Sequence, residues 1–152
     1  MKYIYVRLHG SSDEYTKVDS TESWVNDHKW YLSGRGYAQA SIGGKTKNLH
    51  RLITKCPQNL VVDHINHDKL DNTSSNLRIC TKQQNHFNSV TASNNKTGYK
   101  GVHWYSCKSR YRAQIKHDGK RIYIGLFKTA AEAGAAYNKK ALELFGEYAY
   151  VG

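Results

Sequence analysis

The sequence predicts an α+β protein with a β-rich N-terminal region and a smaller C-terminal domain of three antiparallel strands and one helix. Short β-prone segments recur along the chain, and two capping boxes mark helix starts. A polar stretch, SVTASNNKTG, separates parts of different charge: 12 Lys/Arg against 8 Asp/Glu over residues 1–92, and 11 against 4 over 93–152. We therefore predict a first domain over 1–92, a linker over 93–98 and a second domain over 99–152.

The composition favours a partner that carries negative charge. The formal net charge is +11 and the isoelectric point about 9.6, which favours nucleic acid. No apolar run is long enough to cross a membrane, and the start MKYIYVRLHGSSDEY does not resemble a signal peptide, so we expect no membrane partner and a cytoplasmic location. Cys56, Cys80 and Cys107 form no C-x-x-C pair, which argues against a structural zinc protein and a disulfide framework.

The first 56 residues are predicted to form short strands, a tight turn and a short helix. YIYVRL (3–8) and GYAQASI (36–42) are β-prone, and Gly43-Gly44 supplies a turn. The following segment, KTKNLHRLI, is expected to end in a short helix. The sequence assigns no function to this region.

The stretch VVDHINHDKLDNTSSNLRICTKQQNHFN, residues 61–88, is predicted to be a strand–loop–strand–helix unit rich in His, Asp and Asn. LVVDHI (60–65) and LRIC (77–80) are the strands. Thr81 and Gln84 form a capping box for a helix over about 82–90. Carboxylate and amide oxygens suit a magnesium-type ion, and a histidine can take a proton from water near neutral pH.

Residues 99–127 are predicted to form three strands, YKGVHWY, YRAQIKH and RIYIGLF, with a hairpin turn at Asp118-Gly119. T-A-A-E at 129–132 begins an amphipathic helix, which Gly146 can end. Between Lys96 and Lys128 stand nine Lys/Arg and one acid. Because side chains alternate along strands, one sheet face is expected to be basic and aromatic, a surface that fits the major groove.

LHRLI and VDHINHDKLDNTSSNLRICTKQQN, between Leu49 and Asn88, resemble the HNH endonuclease family, in its phage and intron-encoded homing branch. D-H-I-N, L-D-N, N-L-R and T-x-x-x-N stand in the family's order and spacing. The resemblance implies a ββα-metal fold, hydrolysis of DNA phosphodiesters and a bacterial or phage-infected host cell. It also implies a single divalent ion, Mg²⁺ or Mn²⁺, since Asn as the motif's third letter favours a hard ion.

Carried over by position, the resemblance implies four site residues. Asp63 becomes the first metal ligand and Asn85 the second. His64 becomes the general base that activates water. Asn76 becomes the central Asn of the motif, which ties the loop to the backbone and orients the base. Asn88 is the alternative to Asn85.

Other polar positions keep two interpretations. Asp71-Asn72 of the loop can form a turn or bind metal, and His67 and His86 can be exposed polar residues or ligands. His50 can pack within its helix or contact phosphate, and Arg78 can contact phosphate or be a solvated strand residue.

YKGVHWY, RYRAQIK and KRIYIGLFKTAAEAGAAYNKKALELFGEYA resemble the AP2 DNA-binding domain, including its G-V, A-x-I and F-G-x-x-A elements. The resemblance implies a DNA-contacting sheet face. Four of its positions depart from the plant pattern, so a plant target site does not transfer. The implied contacts are Lys100, His103, Tyr105, Gln114, Lys116, Arg121 and Tyr123, and strand alternation adds Arg112.

Together these features predict a metal-dependent homing endonuclease that acts on double-stranded DNA, by a nick or a double-strand break. The alternative is a non-catalytic transcription regulator with a decayed HNH unit. Asp63, His64 and Asn85 are all present, which favours the enzyme. The sequence indicates no protein partner and leaves monomer and dimer open.

Overall fold

A computed structural model describes residues 2–10, 13–91 and 95–151, and its mixed α+β fold confirms the predicted class. The chain divides into two compact units, Met1–Asn85 and His86–Gly152. This division precedes the linker that the sequence predicts over 93–98, of which residues 93 and 94 lie outside the described residues. In the described part of the chain, no helix is long and apolar enough to cross a membrane.

The first unit contains a five-stranded sheet in the order β2-β1-β3-β4-β5. All neighbouring strands are antiparallel except β1 and β3, which are parallel. The predicted segments at 3–8 and 36–42 are strands, and the Gly43-Gly44 turn joins β4 to β5 with both glycines at positive φ. The bounds are β1 Tyr3–His9, β2 Tyr15–Asp19, β3 Trp30–Leu32, β4 Ala38–Ile42 and β5 Lys45–Asn48, followed by helix α1, Leu49–Ile53.

The core of this unit gathers on one face of the sheet. Trp30 is fully buried, and its indole N–H donates to the carbonyl of Val25 at 2.7 Å, so the ring is buried without an unpaired donor. Leu49 of α1 is also fully buried in this core. The other buried members are Val6, Leu8, Val18, Val25, Ala38 and Ala40.

Strands β6, Val61–His64, and β7, Leu77–Cys80, form a separate antiparallel pair. Helix α2, Lys82–Phe87, follows with the predicted capping box: Gln84 N–H donates to Thr81 Oγ1 at 3.1 Å, and Thr81 N–H donates to Gln84 Oε1 at 2.8 Å. The helix ends before the predicted residue 90, because Ser89 turns back and donates its N–H and hydroxyl to the carbonyl of His86.

The free edge of β2 holds the loop between β6 and β7. Lys17 N–H donates to the carbonyl of Leu70, and Asn72 N–H donates to the carbonyl of Lys17, both at 2.8 Å. Ser74 N–H donates to the Asp19 carboxylate, also at 2.8 Å. The N-terminal sheet therefore braces the polar loop that follows β6.

The second unit is a three-stranded antiparallel sheet, in the order β10-β9-β8, with a 16-residue helix. The predicted turn at Asp118-Gly119 has both residues at positive φ. Thr129 and Glu132 form the predicted capping box, and Gly146 is the helix C-cap. The bounds are β8 Val102–Tyr105, β9 Arg110–His117, β10 Lys120–Phe127 and α3 Ala130–Phe145. The core of this unit consists of Val102, Ala113, Ile115, Ala133, Tyr137, Ala141 and Phe145.

Candidate active site and nucleic-acid interface

Asp63 and Arg78 form a buried ion pair on the two-stranded sheet. They stand directly opposite each other in the β6–β7 register. Arg78 donates to Asp63 Oδ2 from Nη2 at 2.6 Å and from Nε at 2.9 Å, and the side chains are 13% and 6% exposed. Neither interpretation that the sequence left open for Arg78 describes this contact.

His64 lies at the end of a hydrogen-bonded series that begins on β2. The Thr16 hydroxyl donates to the carbonyl of Leu70 at 2.9 Å, so its oxygen accepts from Asn72 Nδ2 at 2.8 Å. Asn72 Oδ1 then faces His64 Nε2 at 3.2 Å. An amide oxygen can only accept, so His64 donates from Nε2. In a neutral imidazole the lone pair therefore lies on Nδ1.

Burial favours the neutral form of His64. Its side chain is almost completely buried, and desolvation lowers its pKa, against the raising effects of the Asn72 hydrogen bond and the Asp63 charge. A neutral imidazole with a fixed tautomer is the form that can accept a proton.

An aromatic cluster encloses the same ring. The ring centroid of His50 lies 5.3 Å from that of His64 and 4.9 Å from that of Tyr37. Burial lowers the pKa of His50 to about 4, with smaller lowering effects from Arg51 and from His64 in its protonated form. Of the two interpretations for His50, the structure supports a packed helical histidine.

Asn76 ties the loop between β6 and β7 to the backbone. Its Oδ1 accepts from the N–H of Asn66 at 2.9 Å, and its Nδ2 donates to the carbonyl of Asp71 at 2.7 Å. Its own carbonyl accepts from the N–H of Ile65 at 2.9 Å. The side chain thus joins the start of the loop to its far end.

Asn85 stands on α2 with an exposed side chain, outside the hydrogen-bonded series around His64. Its backbone N–H donates to the carbonyl of Thr81 at 3.0 Å. The alternative ligand, Asn88, is 5% exposed. His86 is exposed and His67 half-buried, at a positive φ of 66°.

Asp71 of the Asp71-Asn72 pair follows the turn interpretation, and Asn72 follows neither the turn nor the metal-ligand interpretation. Asp71 Oδ1 accepts from the hydroxyl of Thr73 at 2.8 Å and from its N–H at 3.3 Å, as an Asp in a turn does. Asn72 orients His64 instead. The sequence does not predict that Thr16 and Asn72 support His64, because 56 residues separate them and no local motif links β2 to the loop.

The donor chemistry fits a hard cation with few protein ligands. Across the described ranges, no group of three or more His, Cys, Asp or Glu side chains is placed to hold a metal ion. Asp63 is a carboxylate that adjoins His64 in the sequence, and Asn85 has an exposed amide side chain. Mg²⁺ commonly takes one or two protein oxygens and completes its shell with water and substrate phosphate.

The second unit presents a basic and aromatic face opposite α3. Cross-strand pairs place like-facing residues side by side: His103 with Arg112, Gln114 with Tyr123, and Lys116 with Arg121. Tyr123 is 61% exposed. The guanidinium of Arg112 lies 5.2 Å from the centre of the Tyr105 ring. We call this set the open sheet face: His103, Tyr105, Arg112, Gln114, Lys116, Arg121 and Tyr123.

Lys100 does not belong to the open sheet face. Its ammonium donates to the carbonyls of Phe87 and Ser89 at 3.0 and 2.8 Å and to the Ser89 hydroxyl at 3.2 Å. Burial lowers its pKa. The side chain is therefore engaged inside its own unit, which gives no support to the predicted DNA contact.

Comparison with known proteins identifies the class of enzyme. The sequence model described as HNH endonuclease matches residues 48–87. The uncharacterized HNH endonuclease L560 of Acanthamoeba polyphaga mimivirus is 40% identical over 154 aligned positions, covering 96% of this chain and 79% of the relative. Protein 3.8 of Escherichia phage T7 is 29% identical over 65 residues, covering 43% of this chain and 54% of that protein. No solved structure gives a significant match.

The chain therefore belongs to the HNH endonuclease family and is a DNA nuclease. HNH nucleases generally use a divalent metal ion.

Proposed function

We propose that this protein is a site-specific, metal-dependent homing endonuclease with an HNH ββα-metal unit and an AP2-like DNA-binding domain. The observation that carries the proposal is the placement of Asp63 and His64 at the end of β6, with His64 buried, its pKa lowered by burial and its tautomer fixed by Asn72. The proposed nuclease domain spans residues 1–92 and the AP2-like domain 99–152.

His64 is the general base. Because Nε2–H is committed to Asn72, Nδ1 is the nitrogen that accepts a proton from the attacking water. Asn72 and Thr16 are positioning residues that act through His64. Asn76 holds the loop that carries Asn72, through the bonds to Asn66 and Asp71.

Asp63 and Asn85 would hold a single divalent ion, Mg²⁺ or Mn²⁺. Bound there, the ion would act as a Lewis acid that stabilises the charge on the scissile phosphate and on the leaving oxygen. Asn85 is favoured over Asn88 because its side chain is exposed, whereas Asn88 is buried. Arg78 neutralises the Asp63 carboxylate in the structure, so it shares or yields that carboxylate when the ion binds.

The open sheet face binds double-stranded DNA. Arg112, Lys116 and Arg121 supply cations for phosphates or guanine edges, and Tyr123 supplies an exposed ring. Gln114, His103 and Tyr105 lie between them on the same face. The proposed contact set omits Lys100, because three acceptors of its own unit hold that ammonium.

Nicking of supercoiled plasmid tests the proposal. The chain is incubated with plasmid that carries DNA from its own genomic neighbourhood, with Mg²⁺ or Mn²⁺ and with EDTA. We expect open-circular product with either ion, none with EDTA, and a large loss with His64→Ala. One ββα-metal unit cuts one strand, so a linear product would indicate a dimer or two visits. DNA binding without nicking under any of these conditions would favour the transcription regulator instead.

A further inference from the structure

A long stretch of the first unit contains cations and no acid. Residues 28–62 include six Lys/Arg and no Asp or Glu, whereas residues 1–27 include five acids. The stretch runs from β3 through β5 and α1 to the start of β6. The cations are Lys29, Arg35, Lys45, Lys47, Arg51 and Lys55.

Part of this stretch folds into a cleft between β5 and α1. The cleft is about 440 Å³ and is lined by basic, polar and apolar side chains, with no acid among them. β5 is the edge strand of the five-stranded sheet, so the cleft borders an exposed edge. The lining residues are Thr46, Lys47, Asn48, Arg51, Leu52, Lys55, Cys56 and Gln58.

The cations of this cleft divide into two roles. Arg51 donates to the carbonyls of Leu60, Cys56 and Pro57 at 3.1, 3.1 and 2.7 Å, so it shapes the wall. Lys47 and Lys55 are exposed, and no carboxylate of the described residues forms an ion pair with either. Two unneutralised ammonium groups beside amide and hydroxyl side chains are suited to phosphate oxygens.

We propose that the β5–α1 cleft binds the phosphate backbone of the DNA substrate, giving the nuclease unit a DNA contact of its own. DNA is the occupant that the charge selects, because the enzyme acts on DNA and the cleft carries cations without acids. The contact is sequence-independent: Lys47 and Lys55 bind phosphates, and recognition of bases is left to other surfaces.

DNA binding at several salt concentrations tests the proposal. The full-length chain is titrated against a fluorescent mixed-sequence duplex in EDTA, which prevents cutting. We expect the double variant Lys47→Gln/Lys55→Gln to bind the duplex about tenfold more weakly. We also expect its slope of log K against log[salt] to be less steep by about 1 to 2, since each phosphate contact contributes about 0.9 to the magnitude of that slope. The matched control is Lys2→Gln/Lys139→Gln, which removes the same charge at exposed positions outside the cleft.

Cys56 gives a second readout in the wild-type chain, because its thiol lines the cleft. Excess duplex is expected to slow its reaction with maleimide, and to slow it less in the Lys47→Gln/Lys55→Gln variant. If wild type binds DNA and the cleft variant keeps the slope of the control, the inference is overturned while the proposed function stands. If the wild-type chain binds no mixed-sequence duplex, the inference is overturned, and plasmid nicking decides the proposed function separately.

Discussion

Arg78 and Asp63 face each other across the β6–β7 pair, with Arg78 Nη2 2.6 Å from Asp63 Oδ2. The guanidinium of Arg78 therefore binds the carboxylate of Asp63, which is the proposed first metal ligand. A carboxylate that has lost its partner inside a protein is costly, so removing the arginine is expected to matter most when no divalent ion is present.

Arg78→Gln is expected to lower the free energy of unfolding by about 3 kcal/mol in EDTA, because it leaves Asp63 buried without its guanidinium. Excess Mg²⁺ is expected to restore more stability to this variant than it adds to wild type, since a ligand of the folded state stabilises it. Urea unfolding with and without Mg²⁺ measures both effects. Equal stability of variant and wild type in EDTA would contradict the role of the pair.

The series from Thr16 to His64 predicts a remote effect on the base. Thr16→Val removes the hydroxyl that accepts from Asn72, whereas Thr16→Ser keeps it. We expect nicking to fall roughly tenfold or more with Val and to stay near wild type with Ser, since general-base catalysis depends on the position of the imidazole.

A purely structural role for Thr16 would leave the His64 tautomer unchanged. The ¹⁵N chemical shifts of the His64 ring therefore provide the decisive readout for the Thr16 pair. Protonated Nε2 is expected in wild type and Thr16→Ser, and a mixture of tautomers in Thr16→Val. A single Nε2–H tautomer in all three proteins would contradict the account.

The lowered pKa of His50 predicts that the free energy of unfolding decreases in acid. Its pKa falls from 6.5 to about 4 on folding, so between these values the unfolded chain binds more protons than the folded one. Stability therefore decreases as pH falls through this window, by up to about 3 kcal/mol for a shift of this size. Urea unfolding at pH 7 and pH 5 should show the decrease in wild type and a weaker one in His50→Leu. Parallel pH dependence of the two would contradict the assignment.

Both Lys100 and Lys116 are predicted from the sequence to contact DNA. Their substitutions are nevertheless expected to have opposite effects, because Lys100 should affect stability and Lys116 should affect DNA binding. Lys100→Met removes the ammonium donor to the carbonyls of Phe87 and Ser89, and Phe87 keeps only the Tyr150 N–H at 3.3 Å, so the change should cost about 1 to 3 kcal/mol of stability. Lys116→Gln lies on the open sheet face and should weaken DNA binding with little effect on unfolding. Chemical unfolding and duplex titration of both variants check the contrast, and a reversed pattern would refute it.

The local elements could be predicted because their signals are contained in a few residues. The Thr81 and Thr129 capping boxes, the Gly43-Gly44 turn and the Asp118-Gly119 turn all form as expected. Each depends on backbone preferences and on hydrogen bonds within four residues.

The contacts that complete the candidate site could not be predicted, because they join distant parts of the chain. Thr16 reaches Asn72 only because the edge of β2 pairs with the loop. Arg78 meets Asp63 through strand register, and Lys100 lies outside the open sheet face because Phe87 and Ser89 present acceptors nearby. None of these pairings has a local sequence signal.

His64 is proposed as the base, and Asp63 and Asn85 are proposed as the ligands of the ion. The most direct test is the rate of plasmid nicking as a function of Mg²⁺ concentration for wild type, His64→Ala and Asn85→Ala, with exposed Lys82→Ala on the same helix as the control.

In that titration, His64→Ala is expected to lower the maximal rate by about 10² to 10⁴ without moving the half-saturating Mg²⁺ concentration. Asn85→Ala is expected to raise that concentration, and Lys82→Ala to leave it in place. Wild-type rates from His64→Ala, or an unmoved Mg²⁺ dependence in Asn85→Ala, would contradict the account.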